Sequence, residues 1–352
     1  MQENNYHEMI KIQNISKLRE MQKDLPSFCT VFFRGISDRV STRTMIAYAY
    51  DLQIFFHFMI HNIIKDESMQ IRQISLEHLK EISKFDLEDF MDYLSYYTGE
   101  DGTIHTNDER GKSRKLSAIK SLYNYFYEAE LLTSNPASIV HIPKYHQKEI
   151  IRLEPDEVVK LLDMVENGSS QETKKQSDFH KITKDRDLCL LTLLLGTGIR
   201  VSECVGLNIS DINFDNDAIR VVRKGGNEAT VYFGDEVEDA LRLYLEKRKN
   251  IIPLSGHEDA LFLSIQNRRI SVRAVENLVK KYASQVTTLK KITPHKLRST
   301  YGTELYRESN DIYLVASVLG HKDVNTTRKH YASMDDDRRR RAANIVKLRN
   351  PD

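Results

Sequence analysis

The chain is expected to fold as a mainly α protein with a small antiparallel β-sheet (α+β), divided into two domains. Three observations lead there. Its 352 residues favour two separately folding units, each able to bury its own core. Apolar residues recur at helical spacing through most of the sequence. The β-branched and aromatic runs AIRVVRK and ATVYF stand in the middle and are joined by Gly225, Gly226 and Asn227, which is a hairpin signal.

The first half reads as helices. Ser41 or Thr42 is placed to cap TRTMIAYAYDLQIFFHFMI, whose Ile46, Leu52, Phe55, Phe56 and Met59 form a broad apolar face. Asp86 is expected to cap DLEDFMDYLSYYTG, where Phe90, Leu94 and Tyr97 recur at helical spacing, and GEDG at Gly99 to Gly102 breaks the chain. A further helix begins near Lys112. It buries Leu116, Ile119, Tyr123 and Phe126 and turns Arg114, Ser117, Ser121 and Asn124 to the opposite face. A basic, hydroxyl-bearing face suits phosphate contacts, although an ordinary solvated face has the same make-up. Asn135-Pro136 closes the region, so residues 1–142 form the first domain.

The segment 143–155, PKYHQKEIIRLEP, has two prolines and mixed charge and reads as a linker. The second domain spans 156–352. EPDEVVKLLDMVE is a helix with acidic residues at its start, as the macrodipole favours. The polar stretch Glu166 to Lys184 reads as an inserted surface loop. Asp185 then opens the apolar helix DRDLCLLTLLLGTG, stopped by Gly196 and Gly198. After the hairpin, helical patterns return from Ser271 to the end.

Composition narrows the functional classes. No run of 18 apolar residues exists, so a membrane span is not expected. MQENNYHEMIKIQN lacks the basic-then-apolar order of a secretory signal. Cys29, Cys189 and Cys204 are few, odd in number and widely spaced. They read as small buried hydrophobes of a cytoplasmic protein rather than a disulfide framework or a metal cage. The net charge of +1 lacks the strongly basic footprint of many nucleic-acid binders, so any such surface must be local.

Local sequence supplies candidates. Arg200 follows the glycine turn GTGIRVSE, where a guanidinium can be held rigidly as a planar fork for two phosphate oxygens, with Glu203 one helical turn later to orient it. Lys224 stands at the mouth of the hairpin. In TPHKLRSTYGTELY, His295 and Arg298 share a face of a helix that starts after Pro294. In LGHKDVNTTRKHYA, His321 follows Gly320, a helix is expected from Asn325 or Thr326, and Arg328, Lys329 and His330 precede Tyr331. That cationic neighbourhood favours a phenolate-like oxygen. Taken singly, each residue also has a plainer reading as a surface, cap or packing residue. Together they suit transfer of a phosphodiester to a phenolic oxygen.

These segments resemble the tyrosine recombinase (phage integrase) family, whose signature of Arg, Lys, His-x-x-Arg, His or Trp, and Tyr is met in order by Arg200, Lys224, His295, Arg298, His321 and Tyr331. The resemblance covers the second domain as a catalytic domain. It extends more loosely to the first as a helical SAM-like core-binding domain, through Thr44, Tyr48, Asp51 and Leu52 and through RKLSAIKSLYNY. RDLCLLTLLLGTGIRVSE and VVRKGGNEATVYF look most like Xer recombinases, and the long N-terminus and the 166–184 insertion are closer to the single-recombinase XerS type.

The resemblance implies an enzyme that cleaves and rejoins DNA through a 3′-phosphotyrosyl bond without cofactor, metal or ATP. Tyr331 would be the nucleophile, Arg200 and Arg298 the phosphate clamp, Lys224 the general acid, His295 a proton acceptor and His321 a phosphate donor. Arg43, Arg114, Ser117, Ser121 and Asn124 are the candidate DNA contacts of the first domain. The implied partners are double-stranded DNA with inverted half-sites and a homo-tetramer on two sites. The tetramer would form through a C-terminal helix anchored by Ala343, Ile345, Val346 and Leu348, a self-packed helix being the plainer alternative, and the basic run Arg338 to Arg341 suits either phosphate contact or capping of Asp335 to Asp337. A DNA translocase is a candidate regulator, and the expected location is the cytoplasm, at the nucleoid. Resolution of chromosome dimers is the implied role. Integration of a mobile element shares the chemistry, and a non-catalytic architectural DNA-binding protein shares the fold.

Overall fold

The computed structural model describes residues 6–99, 101–141, 150–168, 173–223, 226–321, 323 and 324. The chain divides into two compact units, residues 1–148 and 149–352.

The first unit is helical. It begins with α1 (Tyr6–Gln22) and α2 (Ser27–Ile36), both ahead of the first helix expected from sequence. α3 (Thr42–Phe58) follows, with Ser41 accepting from the Thr44 N–H as its cap. It widens into a π turn over Met59–Ile64 that ends at Lys65 in the left-handed region. After α4 (Leu76–Glu81) comes α5 (Lys84–Tyr93). Its cap is Ser83, not Asp86. Asp86 sits three residues in, where Oδ2 accepts the Ser83 N–H at 2.7 Å and Ser83 Oγ accepts the Asp86 N–H at 3.3 Å, a reciprocal capping box.

The GEDG break lies within a short hairpin that the sequence reading missed: β1 (Tyr97–Thr98) pairs antiparallel with β2 (Ile104–His105). Strands are therefore not confined to the middle of the chain. α6 (Glu109–Glu128) starts nearly a turn before Lys112, because Asp108 accepts the Gly111 N–H at 2.9 Å. Asn135 does not end the region. It caps α7 (Pro136–Ile139) by accepting the Ser138 N–H.

Aromatic rings fill the core of this unit. Phe28 meets Phe56 and Phe126 edge-on at 5.9 and 5.7 Å between centroids, and Phe32, Phe55, Phe90 and Tyr123 are fully buried. Each such ring contributes about 1.5–3 kcal/mol on leaving water. Gly35 is where α2 approaches α6, since a Cβ there would collide with the Tyr125 ring.

In the second unit, Leu153 is buried and its N–H donates to Thr300 Oγ1 at 3.0 Å. The last residues of the expected 143–155 linker are thus part of this unit's packing. α8 (Pro155–Asn167) has proline in its first turn. α9 (Lys174–Thr197) is the central rod and packs against α8, against α11 (Asp235–Arg248) and against α13 (Pro294–Ser309). Leu190, Leu191, Leu193 and Leu194 are all buried, as a helix apolar all round requires.

The expected surface loop at 166–184 is largely helix instead. Thr173 and Gln176 form a capping box that starts α9 there, and His180 and Thr183 are buried on it. Asp185 lies inside the helix rather than at its start.

α9 stops at Gly198, in the left-handed region (φ 62°). α10 (Val201–Gly206) follows at once. A three-stranded antiparallel sheet comes next, in the order β3 (Ile212–Asn213), β4 (Ala218–Val222) and β5 (Glu228–Tyr232). Its hairpin pairs Ala218 with Tyr232 and Val222 with Glu228. β3 had no sequence signal. α12 (Val272–Val286), α13 and α14 (Ile312–Leu319) complete the described unit. The free cysteines Cys29, Cys189 and Cys204 are buried, and burial pushes the Cys29 and Cys204 thiols well up. No helix among the described residues is long and apolar enough to cross a membrane.

Candidate active site

The site is built where two helices end. Gly198 stops α9 and Gly320 stops α14, each with a positive φ (62° and 60°) that glycine adopts without strain. The last carbonyls of both helices point to cations, as the negative end of a helix dipole favours.

Arg298 comes from the second turn of α13, whose start is fixed by Pro294 in its first turn. It is 5% exposed. Nη1 donates to the Gly198 carbonyl at 2.6 Å and Nη2 donates to the Leu319 carbonyl. One guanidinium therefore ties the ends of α9 and α14 together. Carbonyls orient that fork without cancelling its charge.

Arg200 is the cap residue of α10. Glu203, with a nearly buried side chain, accepts the Arg200 N–H through Oε2 and Arg200 Nη1 through Oε1, both at 2.8 Å. Arg200 Nη2 also donates to the Gly320 carbonyl at 3.4 Å. Glu203 thus orients Arg200 from behind, while 37% of the arginine side chain stays exposed. A charge-assisted pair with one partly open guanidinium can still receive a second anion.

His321 follows the Gly320 turn directly. Its backbone N–H donates to the Ala316 carbonyl at 2.9 Å, and its side chain is half-buried. His295 is exposed, one helical turn before Arg298 on α13. The structure thus brings Arg200, Arg298 and the His321 turn together around two helix ends. Lys224 and Tyr331 lie outside the described residues, as do Asn325 to His330, Arg338 to Arg341, Ala343, Ile345, Val346 and Leu348.

The sequence reading missed Arg223. This residue directly precedes Lys224, and its Nη2 donates to the Val318 carbonyl at 3.3 Å. The one available signal was its place beside the hairpin lysine.

The candidates of the first unit form a separate group. Arg43 is exposed at the start of α3. Arg114 on α6, half exposed, pairs through Nη1 with Oδ2 of the fully buried Asp51 at 2.6 Å. Ser117 Oγ donates to the Ser113 carbonyl of its own helix, Ser121 is half-buried, and Asn124 Oδ1 accepts from Asn135 Nδ2 at 2.6 Å. The intended face therefore carries one exposed guanidinium, while two of its polar side chains are engaged locally. The Asp51–Arg114 pair joins the two first-domain motifs, TxxxYxxDL and RKLSAIKSLYNY.

Burial pushes the Asp51 carboxyl up to about 6, against the opposing pull of Arg114 and Lys115. Burial also lowers the Lys115 ammonium, while Asp51 raises it. Lys115 Nζ donates to Asn107 Oδ1 at 2.7 Å.

Comparison with known proteins gives the family and the fold. The model of the phage integrase family matches residues 151–338. Tyrosine recombinase XerC of Caldanaerobacter subterraneus subsp. tengcongensis is 34% identical over 324 residues, covering 89% of this chain and 84% of its own. Tyrosine recombinase XerS of Lactococcus lactis subsp. lactis is 30% identical over 343 residues, covering 90% and 93%. Among solved structures, the XerH site-specific recombinase bound to difH substrate has a TM-score of 0.59 at 20% identity, over 87% of this chain and 80% of that one. The Tn1549 transposon integrase in complex with transposon right end DNA has a TM-score of 0.64 at 18% identity, over 89% and 99%. The two-unit helical architecture is shared with these structures, and the family match spans both helix ends and the arginines between them. The chain belongs to the phage integrase family, that of the tyrosine recombinases.

Proposed function

We propose that the chain is a site-specific tyrosine recombinase acting on double-stranded DNA with inverted half-sites. The observation that carries this is the convergence of Arg200 and Arg298 on the Leu319–Gly320 turn, directly before His321. Tyr331 Oη forms a bond to the scissile phosphorus as the bond to the 5′ oxygen breaks. The phenolic proton passes to a base, for which His295 is the candidate, and Lys224 protonates the departing 5′ oxygen. Arg200 and Arg298 hold the non-bridging oxygens, with His321 as a further donor, so charge that grows in the transition state meets fixed cations. The 3′-phosphotyrosyl bond keeps the phosphodiester energy, and attack by a 5′ hydroxyl reverses the step without ATP.

In this reading the first unit grips DNA through Arg43 and Arg114, four copies assemble on two sites through the C-terminal segment, and a DNA translocase is a candidate regulator. Resolution of chromosome dimers at the nucleoid is the role supported by the XerC and XerS relatives at 34% and 30% identity.

A nicked DNA duplex that traps the covalent stage tests the chemistry. The wild type should give a protein–DNA adduct that survives denaturant, and Tyr331→Phe should bind equally and give none. Equal binding with no adduct from either protein would leave an architectural DNA-binding protein instead. Relaxation of plasmids lacking any specific site would point to a topoisomerase.

A further inference from the structure

Three successive carbonyls at the end of α14 each accept from a different arginine. Val318 accepts from Arg223, Leu319 from Arg298 and Gly320 from Arg200. The three donors come from the end of strand β4, from α13 and from the cap of α10, so one turn is the common support of the pocket. Arg223 is the member with no role in the reading above.

Its position is fixed from both directions. The Arg223 N–H donates to the Asn227 carbonyl at 2.8 Å and its own carbonyl accepts the Gly226 N–H at 3.1 Å, which closes the hairpin at its base. The side chain crosses to the α14 end and lies against the Gly320 Cα. A Cβ there would collide with Nη1 and Cζ, so the glycine is required for this contact as well as for its backbone angle. Arg223 Nε is buried and finds no acceptor among the described residues. Arg223 as a whole is half-buried, and a buried donor left unused costs stability and calls for another reason for its place.

We propose that Arg223 is a positioning residue of the phosphate pocket: it locks the Val318–Gly320 turn to the hairpin and so holds Arg200 and Arg298 in register. This rests on the assignment of Arg200 and Arg298 as the phosphate clamp. Both lean on carbonyls of the turn, so a shift of the turn moves two cations at once. Displacement by about 1 Å at a reacting centre costs roughly 100-fold in rate.

The test uses Arg223→Met, which keeps a stem over Gly320 and loses the donors and charge. Single-turnover cleavage of the nicked duplex should slow about 10- to 100-fold, with DNA affinity within about threefold and thermal midpoint unchanged. The readout that separates positioning from folding is a second substrate, with one non-bridging oxygen of the scissile phosphate replaced by methyl. That phosphonate is neutral and needs fewer aligned cations, so the gap between wild type and variant should narrow by about tenfold.

Arg298→Ala is the control. If it shows no narrowing, the clamp assignment itself fails. If it narrows while Arg223→Met keeps its full gap, the positioning role is overturned. It is also overturned if Arg223→Met cleaves at the wild-type rate or loses only DNA affinity. Should Arg223→Met not fold, Arg223→Lys keeps one donor for Val318 and is read by the same ratio, with a smaller gap expected.

Discussion

Glu203 grips Arg200 at both ends. One carboxylate oxygen accepts the arginine's backbone N–H and the other accepts Nη1, each at 2.8 Å. The same carboxylate that caps α10 therefore fixes a pocket cation, and the two functions cannot be separated by moving the side chain. Glu203→Gln can accept only one of these two bonds and removes the ion pair. Adduct formation by the variant is expected to fall about 10- to 100-fold. DNA affinity should change far less. A single-turnover rate within twofold of wild type, roughly, would mean that the pairing is ornamental.

Gly198 carries the Arg298 acceptor and sits at φ 62°. A methyl group there would strike the Tyr301 ring and press on Leu319 Cδ2 at 3.0 Å. Gly198→Ala is expected to destabilise the second unit by about 2–4 kcal/mol, from left-handed strain and overpacking together. Denaturant unfolding followed in that unit measures it. A midpoint equal to wild type would contradict the close approach of α9, α13 and α14.

How much of this was legible in sequence depends on the kind of signal. Arg200, His295, Arg298 and His321 stand in short motifs at helix starts and stops, which are local features, and the structure puts Arg200, Arg298 and the His321 turn together. The first half of α9 looks like a loop in sequence because its buried residues include the polar His180 and Thr183. His180 Nε2 lies 2.7 Å from the Val165 carbonyl, so its burial rests on a tertiary hydrogen bond that leaves no apolar periodicity. The Asp51–Arg114 pair joins residues 63 apart and Arg223 reaches 95 residues along the chain. Nothing in either local sequence announces those partners. The helix caps at Ser83 and Asp108 lie up to a turn from the starts that sequence suggests, because several capping residues stand close together there.

Asp51 makes stability depend on pH in an unusual direction. Burial raises its carboxyl to about 6 although Arg114 and Lys115 oppose this, and Oδ1 has no hydrogen bond among the described residues. The folded state therefore holds this proton more tightly than the unfolded chain. Its contribution is fully present below the ordinary carboxylate range and is lost as pH rises through about 6. Relative to Asp51→Asn, the wild type should lose about 2–3 kcal/mol between roughly pH 4 and 7. Paired denaturant titrations across that range would reveal it, and a pH-independent difference would contradict it.

Arg114 is half exposed beyond its bond to Asp51. If it meets a DNA phosphate, Arg114→Ala should weaken binding to every sequence about equally. The slope of log affinity against log salt should also fall by about 1. Lost affinity with an unchanged slope would assign the arginine to holding Asp51 alone.

Because α9 is one continuous helix from Lys174 to Thr197, its exposed beginning and the residues beneath the pocket share a single screw axis. Each residue added or removed within 174–184 would turn everything on one side by about 100° relative to the other and shift it by about 1.5 Å. Insertions there are consequently quantised: whole turns preserve the facing of His180 and Thr183, and other lengths do not.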